Sequence, residues 1–275
     1  MTWLEGIILG LFQGLTEFLP VSSSGHLVIG QALLGIQAPG VIFEVLVHLA
    51  TTLSIIVVFR RDLSELFGAV FGRGARTDPS RIRGRRLLVL IIVGSIPTAA
   101  IGLLLEPLFL SLFESTWAVG WLLLVTGLVL WLADRLPAGR KPLEDASLAD
   151  ALFVGVAQGL AIAPGLSRSG LTVAGTLARG IRPEDAARFS FLLALPAVLG
   201  ANLLEFSRLL DSPPGPDAFT VAPFLAAMLV AFLSGVWAIR TFLGAIRRRR
   251  LAVFSYYTWV VGLSVLFWEG LASLL

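Results

Sequence analysis

Long apolar runs, separated by short polar and arginine-rich segments, dominate the hydrophobic pattern of this chain. Six runs are close to the length of a membrane span and contain few or no charges: 41–59, 87–105, 117–133, 187–206, 220–239 and 252–273. A helix of about 20 residues crosses the roughly 30 Å hydrocarbon core of a membrane. The runs lack the alternation of apolar and polar residues that barrel strands need. The pattern therefore predicts six transmembrane helices in an all-α polytopic membrane protein.

Two further apolar stretches, 3–35 and 151–178, are interrupted near their middle, at Pro20 and at Pro164-Gly165. Proline and glycine end one helix and allow another to begin. Because basic segments flank 151–178 on both sides, this stretch is expected to enter the membrane and return to the same face. The pattern predicts two re-entrant helix pairs, with 3–35 entering from the opposite, outer face.

Composition and charge agree with a membrane protein. Apolar residues make up 56% of the 275 residues and charged residues only 14%, with a mean hydropathy of +0.88. Nearly all of the 21 basic residues lie in four segments, 60–86, 134–150, 179–188 and 240–250. By the positive-inside rule these segments are cytoplasmic. The pI of about 10.1 therefore reflects membrane topology and does not indicate a nucleic-acid partner.

A sequence repeat covers the two interrupted stretches, since residues 10–26 recur in altered form at 155–171. The aligned identical residues are Gly10, Gln13, Gly14, Leu15, Ser22, Ser24 and Gly25 in the first copy and Gly155, Gln158, Gly159, Leu160, Ser167, Ser169 and Gly170 in the second. Three predicted spans follow each copy, and an odd number reverses the direction of the second half. The repeat predicts halves 1–145 and 146–275 with inverted topology, whose two breaks meet near the midplane of the membrane.

The two copies differ at positions that carry chemistry. The first copy has an acid, a hydroxyl and an imidazole where the second has two apolar residues and a guanidinium; these are Glu17, Ser23 and His26 against Ile162, Arg168 and Leu171. A single site assembled from both halves would explain this division.

Each break is followed by serine-rich sequence and a new helix, an arrangement that suits an anion. A helix N-terminus presents free N–H groups and the positive end of its dipole. Arg168 is a cation at membrane depth, where a charge is usually functional, and guanidinium binds phosphate through two hydrogen bonds. The expected cradle for a diphosphate contains Ser22, Ser24, Gly25, Ser167, Ser169, Gly170 and Thr172. An equally good interpretation is that Ser22 and Ser167 only cap helices and pack closely.

Glu17 and Gln13 are four residues apart, on one face of the first helix. A carboxylate and an amide oxygen suit Mg²⁺ or Ca²⁺, so the pair predicts a divalent cation site. The alternatives are an ion pair between Glu17 and Arg168 and an interhelical hydrogen bond for Gln13. His26 follows Ser23 by three residues on the next helix, where its imidazole can take the serine proton or activate water.

Glu44 and His48 are also four residues apart, on the first predicted span. They are interpreted as an ion pair that supports the site from behind, with a proton path as the alternative.

The motifs resemble the two signatures of the undecaprenyl-diphosphatase (bacitracin-resistance) family. They are Gln13-xxx-Glu17 with Pro20-Val-Ser-Ser-Ser-Gly-His26, and Pro164-Gly-x-Ser-Arg-Ser-Gly-x-Thr172, and the similarity runs along essentially the whole chain. The resemblance implies an inverted repeat with two re-entrant pairs and six spanning helices. It also implies a catalytic set of Glu17, Ser23, His26 and Arg168, with Gln13 where the family has Glu or Gln.

The same resemblance implies the activity and the place. The expected protein removes one phosphate from undecaprenyl diphosphate on the outer side of the bacterial cytoplasmic membrane. This reaction recycles the lipid carrier for peptidoglycan synthesis and gives resistance to bacitracin. The expected partners are the polyprenyl diphosphate lipid and membrane lipids; the oligomeric state is left open.

One alternative function and one alternative mechanism stay open. Inverted repeats with broken helices are also the plan of many transporters, so a transporter or flippase for polyprenyl phosphate lipids is the rival function. An acid, a hydroxyl and an imidazole confined to one half favour hydrolysis. The attacking group is either Ser23 or a water that it positions.

Overall fold

The computed structural model describes residues 2–34, 41–72, 78–211 and 221–272. Within these residues the regular structure is helical, apart from one isolated bridge between Lys141 and Ile181. The helices are α1 (Trp3–Phe18), α2 (Ser23–Leu34), α3 (Val41–Val58), α4 (Arg60–Phe71), α5 (Pro79–Leu104), α6 (Glu106–Phe113), α7 (Thr116–Arg135), α8 (Leu148–Leu160), α9 (Arg168–Ala178), α10 (Pro183–Asp211), α11 (Val221–Arg247) and α12 (Ala252–Ala272), with a 3-10 turn at Leu143–Asp145. The predicted all-α class is confirmed.

Four of these helices, α5, α7, α10 and α11, are long and apolar enough to cross a membrane. The number is five when α3 and α4, which are bent by 82° at their junction, count as one span. They correspond to the predicted spans 87–105, 117–133, 187–206, 220–239 and 41–59. The last predicted span, 252–273, coincides with α12, which is not among these candidate spans. Residues 35, 220 and 273, at the ends of predicted elements, lie outside the described part of the chain. The protein is thus a multi-pass membrane protein.

The polar ends of several helices differ from the prediction. α5 begins at Pro79, where the Asp78 carboxylate caps the helix by accepting a hydrogen bond of 2.9 Å from the Ser80 backbone N–H. Hydropathy located only the apolar part of the helix, because the arginines of the first two turns interrupt the apolar run. The helices α4 and α6 were not predicted. α4 is amphipathic and leaves Phe71 77% exposed.

The two predicted breaks are present. α1 gives way to α2 between Phe18 and Ser23, and α8 gives way to α9 between Leu160 and Arg168. The equivalence of the two helix pairs extends to their starts. Thr2 with Glu5 forms a capping box at the start of α1, and Ser147 with Asp150 forms one at the start of α8. The two boxes are again 145 positions apart, so the internal repeat reaches the first turn of each pair.

Glycines bring each first helix of a pair against a helix from the other half of the sequence. α1 packs on α11, and a Cβ atom added to Gly10 would lie 2.3 Å from the carbonyl oxygen of Ala227. α8 packs on α5, and a Cβ added to Gly155 would lie 2.0 Å from the carbonyl oxygen of Gly94. Such close backbone contact is how helices pack in membranes, where small residues form the interfaces. The equivalent residues Gly10 and Gly155 therefore have the same role, which is to allow close contact with the backbone of a neighbouring helix.

A cluster of aromatic rings lies beneath the first break. Phe191 of α10 contacts Phe18, Phe59 and Phe242, with ring centroids 5.6 to 6.0 Å apart. Phe18 is fully buried and directly follows Glu17 in the sequence. The end of α1 is therefore anchored by packing, which fixes the position of the carboxylate beside it.

Candidate active site

The structure brings Glu17 and Arg168 together across the two breaks. The Nη2 atom of Arg168 donates a hydrogen bond of 2.5 Å to Oε1 of Glu17. Their side chains are 16% and 10% exposed, so this charged pair is largely shielded from solvent. A carboxylate at the end of α1 thus meets a guanidinium at the start of α9, 151 positions later in the chain.

The second carboxylate oxygen of Glu17 accepts hydrogen bonds from two side chains. Ser23, the first residue of α2, donates its hydroxyl to Oε2 at 2.9 Å. Gln13, one turn back on α1, donates its amide N–H to the same oxygen at 3.3 Å. The carboxylate therefore orients the Ser23 oxygen and stands where it can receive the hydroxyl proton.

Ser22 joins the two breaks. Its backbone adopts a left-handed conformation with φ of +68°, which is uncommon for a residue with a side chain. In this conformation its hydroxyl oxygen accepts hydrogen bonds from the backbone N–H of Gly165 at 3.0 Å and of Gly25 at 3.2 Å. Gly165, with φ of +99°, occupies a region that favours glycine. One serine side chain thus links the tips of the two helix pairs.

On the other side of the junction, Ser167 caps α9 by accepting a hydrogen bond from the Gly170 backbone N–H at 3.1 Å. Thr126 of α7 braces the same break, since its hydroxyl donates to the Gly165 carbonyl at 2.8 Å and accepts from the Ser167 N–H at 3.0 Å. Sequence reasoning missed Thr126 because nothing local to α7 marks it. Hydrogen bonds that involve Ser22, Thr126 and Ser167 therefore fix the second break.

Four residues expected in the diphosphate cradle have structural partners instead. Thr172 is fully buried and bonds to Ser190 and to the Arg168 carbonyl, while Ser169 contacts Ser167 and the Leu19 carbonyl. Gly25 and Gly170 allow close packing, because an added Cβ would lie 2.9 Å from Gly165 and 3.2 Å from Ser167. The small and hydroxylated residues of both motifs thus serve partly as packing, as the alternative interpretation held.

His26 does not pair with Ser23, contrary to expectation. Its Nδ1 atom lies 2.8 Å from the Ser22 carbonyl oxygen, and its Nε2 atom lies 2.8 Å from the hydroxyl of Tyr257 on α12. The reason is the direction of the ring, which points from α2 toward α12 and away from Glu17. Both ring nitrogens are occupied, so this arrangement does not provide the expected proton exchange between Ser23 and His26.

His48 lies within the site and not behind it. Its Nε2 atom is 3.3 Å from the amide nitrogen of Gln13 and 3.9 Å from Oε2 of Glu17. The expected ion pair between His48 and Glu44 is wrong in its details, because Nδ1 bonds to the backbone carbonyl of Glu44 at 2.8 Å. The ring takes this direction because its Nε2 atom lies beside Gln13 and Glu17 of α1.

A cavity of about 650 Å³ opens beside these groups. Its polar lining includes Glu17, Ser22, Ser23, Ser24, Ser167, Arg168, Glu44, His48, Glu106 and Glu205. Its apolar part is lined by Leu103, Phe109, Leu110, Phe113, Ile162 and Leu166. The Nη1 atom of Arg168 is buried and has no hydrogen-bond partner within the described residues. A ligand with an anionic head and an apolar tail fits this division.

The two residues of the predicted cation site, Glu17 and Gln13, already have hydrogen-bond partners. Glu17 already accepts hydrogen bonds from Arg168, Ser23 and Gln13, and Gln13 directs its amide N–H toward the carboxylate. Within the described residues, no group of three or more His, Cys, Asp or Glu is arranged to hold a metal ion. Mg²⁺ and Ca²⁺ take six or more oxygen ligands. Glu17 and Gln13 could supply only some of these ligands, and the cation stays a prediction from the sequence.

The fold and the cavity define a multi-pass membrane protein whose polar site holds a carboxylate, a hydroxyl and a guanidinium. The sequence model of the family described as Bacitracin resistance protein BacA matches residues 6–264. The chain belongs to this family, and the resemblance seen in the motifs is confirmed.

Similar proteins come from several bacteria and carry one name. An undecaprenyl-diphosphatase of Carboxydothermus hydrogenoformans is 43% identical over 266 residues, which is 97% of each chain. One from Alkaliphilus metalliredigens is 44% identical over 271 residues, covering 95% of this chain and 97% of the relative. One from Syntrophotalea carbinolica is 45% identical over 263 residues, with 95% and 97% covered. The similarity therefore extends over nearly the full length of both partners.

Proposed function

We propose that this protein is an undecaprenyl-diphosphate phosphatase. It hydrolyses undecaprenyl diphosphate to undecaprenyl phosphate and inorganic phosphate, which recycles the lipid carrier for peptidoglycan synthesis and gives resistance to bacitracin. Relatives named for this activity support the proposal. The observation that carries it is the contact of Arg168 with Glu17, and of Glu17 with Ser23, at the wall of one cavity.

Arg168 holds the diphosphate. One side of its guanidinium bonds to Glu17 through Nη2, and Nη1 on the other side is buried without a partner among the described residues. A planar guanidinium can bind a phosphoryl oxygen through this second nitrogen while it keeps the carboxylate in place. The N-termini of α2 and α9 add the positive ends of two helix dipoles at the same point. Together these groups stabilise the charge that develops on the transferring phosphoryl group.

Ser23 attacks the terminal phosphorus, and Glu17 takes its proton. The new O–P bond forms as the bond from phosphorus to the bridging oxygen breaks, and the electron pair leaves with the lipid monophosphate. Glu17 then gives the proton to that leaving phosphate. Water attacks the phosphoserine in a second step, and its proton returns through Glu17 to the Ser23 oxygen as inorganic phosphate leaves. The hydrogen bond of 2.9 Å from the Ser23 hydroxyl to Glu17 supports this assignment.

Trapping of a phosphorylated enzyme intermediate distinguishes Ser23 from a bound water as the nucleophile. Substrate labelled with ³²P at the terminal phosphorus is mixed with protein, and the reaction is quenched in acid. Label attached to the wild-type chain, and absent from Ser23→Ala, supports attack by the serine. A Ser23→Ala protein that turns over at the wild-type rate assigns the attack to water.

The divalent cation remains a prediction from the sequence and is proposed separately. The donors described above do not by themselves form its site, so no step of the mechanism depends on it. Phosphate release is measured after a chelator has removed free cations, and again after Mg²⁺ or Ca²⁺ is restored. Loss and recovery of turnover support the cation, and full turnover in the presence of chelator contradicts it.

The prenyl tail lies along the apolar part of the cavity. Leu103, Phe109 and Phe113, from the end of α5 and from α6, line it together with Ile162 and Leu166. Contact with such side chains recognises hydrocarbon without reading its length. The substrate class is therefore a long-chain polyprenyl diphosphate, whose first isoprene units occupy this part of the cavity.

The finer architecture that we propose is an inverted repeat of halves 1–145 and 146–275, with six transmembrane helices and two re-entrant pairs, α1 with α2 and α8 with α9. The packing supports it. α1 packs on α11 and α8 packs on α5. In each case the first helix of a re-entrant pair packs on a helix of the other half, as expected if a two-fold axis relates the halves. The close contacts at Gly10 and Gly155 repeat at equivalent positions.

The proposed location is the bacterial cytoplasmic (inner) membrane, with the cavity open to the outer side. The arginines of 240–250 and 60–86 favour this orientation by the positive-inside rule. Because the natural chain has no cysteine, single cysteines report on sidedness without a background. An impermeant thiol reagent added to intact cells is expected to label Glu114→Cys and to spare Ala138→Cys, both of which are exposed positions. The opposite pattern contradicts the orientation.

The activity itself is tested with purified protein in detergent. Wild-type protein is expected to release phosphate from undecaprenyl diphosphate, and Arg168→Ala is expected to lower the rate by at least about 100-fold. Arg140→Ala, at an exposed position, is the matched control and is expected to keep the wild-type rate. Wild-type turnover in Arg168→Ala contradicts the assignment of the site.

A lipid transporter or flippase is the second candidate, because broken helices and exchanged packing are typical of transporters. Detergent removes the two compartments that transport requires. Phosphate release in detergent therefore supports the enzyme, whereas movement of a fluorescent polyprenyl phosphate across proteoliposomes without hydrolysis supports the transporter.

A further inference from the structure

We propose that Tyr257 is a positioning residue for the Ser23 nucleophile, acting through His26 and Ser22. This inference rests on the proposed phosphatase function. The chain of contacts runs from the Tyr257 hydroxyl to Nε2 of His26 at 2.8 Å, and from Nδ1 of His26 to the Ser22 carbonyl oxygen at 2.8 Å. Ser22 directly precedes Ser23 in the sequence.

The partners of His26 determine which atoms carry the protons. A carbonyl oxygen only accepts hydrogen bonds, so Nδ1 of His26 must be the N–H that donates to Ser22. In the neutral ring Nε2 is then an acceptor, and the Tyr257 hydroxyl donates to it. The Ser22 carbonyl thus sets the tautomer of His26, and the Tyr257 hydroxyl satisfies the remaining ring nitrogen and fixes the ring in place.

The ring of His26 is also fixed by packing. Its plane is stacked on Tyr257, with centroids 5.5 Å apart and an angle of 5° between the planes. The ring of Phe12 contacts the His26 ring at a tilt of 57°, with centroids 5.8 Å apart. His26 is only 7% exposed and, among the described residues, it is absent from the lining of the cavity. An imidazole enclosed in this way is suited to holding a neighbour in place and not to exchanging protons with substrate.

What His26 holds is the strained residue at the junction of the two helix pairs. Ser22 has φ of +68°, a conformation that persists in a non-glycine residue only when its surroundings enforce it. The ring of His26 at 2.8 Å and its backbone N–H at 3.2 Å both bond to the Ser22 carbonyl, and the bonds from Gly165 and Gly25 fix the Ser22 hydroxyl. Since the next residue is Ser23, the direction of this one peptide unit sets where the Ser23 oxygen lies relative to Glu17.

The first test removes only the Tyr257 hydroxyl. Tyr257→Phe keeps the ring stacked on His26 and is expected to lower kcat about 3- to 10-fold, the effect of one lost hydrogen bond, while KM changes less than about twofold. Tyr256→Phe is the matched control, because the ring of Tyr256 contacts Trp259 and is 55% exposed. Equal kcat in both variants and in wild type overturns the proposal.

The second test distinguishes holding from proton transfer at His26. An asparagine side chain places an N–H close to the position of Nδ1, whereas the amide of glutamine lies one bond further out. His26→Asn is therefore expected to keep at least about threefold more kcat than His26→Gln. If His26 instead exchanged a proton with substrate, both variants would be equally slow, and the proposal would be overturned.

The third test asks whether the residues act in one chain. The Tyr257→Phe change is expected to slow His26→Ala no further, because residues that act through one another are not additive. A further loss in the double variant, equal to that in the single one, overturns the proposal. Absence of phosphate release by the wild-type protein contradicts the proposed function instead, so the two failures are distinguishable.

Discussion

The side-chain oxygen of Ser22 lies 3.0 Å from the backbone nitrogen of Gly165, a residue 143 positions later in the chain. This hydrogen bond links the two interrupted helix pairs. Ser23 and Glu17 lie on one side of it, and Arg168 lies on the other. The geometry of the site therefore depends on the contact between Ser22 and Gly165. Neither residue is the proposed nucleophile, Ser23, or the proposed diphosphate-binding residue, Arg168.

Replacement of Ser22 is expected to destabilise the protein. Ser22→Ala leaves the buried N–H of Gly165 without its acceptor and keeps the left-handed backbone, so unfolding is expected to become easier by about 1–3 kcal/mol. Ser22→Gly also loses the acceptor but adopts a positive φ readily, and is expected to be the more stable of the two. Thermal unfolding in detergent measures both, and Ser264→Ala at an exposed position is the control. Equal stability of Ser22→Ala and wild type would contradict the role assigned to this contact.

Glu17→Gln is expected to abolish most of the activity while it preserves the shape of the side chain. The amide cannot accept the proton of Ser23 and no longer balances the charge of Arg168. General base catalysis contributes about 10²- to 10⁴-fold, so kcat for phosphate release is expected to fall by at least about 100-fold. The measurement is the rate of phosphate release from undecaprenyl diphosphate by the purified protein in detergent. Wild-type kcat in the variant rules out Glu17 as the proton acceptor.

Arg168→Lys is expected to be nearly as impaired as Arg168→Ala. Lysine keeps the positive charge, but a single ammonium group does not present two separated nitrogens to Glu17 and to a phosphoryl group. Phosphate release by both variants, assayed at several substrate concentrations, gives kcat and KM. Full activity in the lysine variant would mean that charge alone is sufficient at this position.

Alanine at Gly10 or Gly155 is expected to separate a pair of helices. The added Cβ would lie 2.3 Å from the Ala227 carbonyl oxygen in one case and 2.0 Å from the Gly94 carbonyl oxygen in the other. Overpacking of this kind destabilises by about 1–3 kcal/mol. Gly244→Ala is the control on α11, because its Cβ would meet nothing within 4 Å, and it is expected to be neutral or slightly stabilising. Thermal unfolding that ranks all three variants alike would contradict the packing.

Asp150→Asn is expected to loosen the start of α8. The Asp150 side chain is almost fully buried and bonds to Lys141, to Arg179 at 2.6 Å and to the Ser147 N–H at 2.8 Å. Loss of charged hydrogen bonds is expected to cost about 1.5–3 kcal/mol of unfolding free energy. Asp145→Asn, at an exposed position of the adjoining turn, is the control. Unfolding curves that coincide for the two variants would exclude this role for Asp150.

The sequence repeat was sufficient to anticipate the central contact of the site. Glu17 and Arg168 stand at positions where the two copies differ, and each is next to a helix break that proline or glycine makes visible. The direction of the His26 ring could not be anticipated. Its partner, Tyr257, is 231 positions away on a helix with no local pattern around that residue. Likewise, α4 was hidden, because its apolar face is too short and too interrupted by charges to register as a hydrophobic run.

His48 shows a different limit of sequence reasoning. Its spacing from Glu44 predicted that the two residues interact, but spacing does not say whether a ring meets a carboxylate or a carbonyl. That choice depends on the rotamer, which the neighbours on α1 determine. Gln13 and Glu17 draw the ring into the site, and only the packing of α1 beside α3 brings them within reach.

The glycine contact between Gly10 and Ala227 has a consequence for biosynthesis. A ribosome makes α1 first, yet the helix that covers its glycine face emerges about 200 residues later, at the usual rate of 5–20 residues per second. During that interval the helix pair α1 and α2 contacts lipid, water or the insertion machinery in place of α11. The catalytic pocket is therefore among the last parts of the molecule to assemble, and a chain truncated before α11 would carry Glu17 and Arg168 without the scaffold that keeps them together.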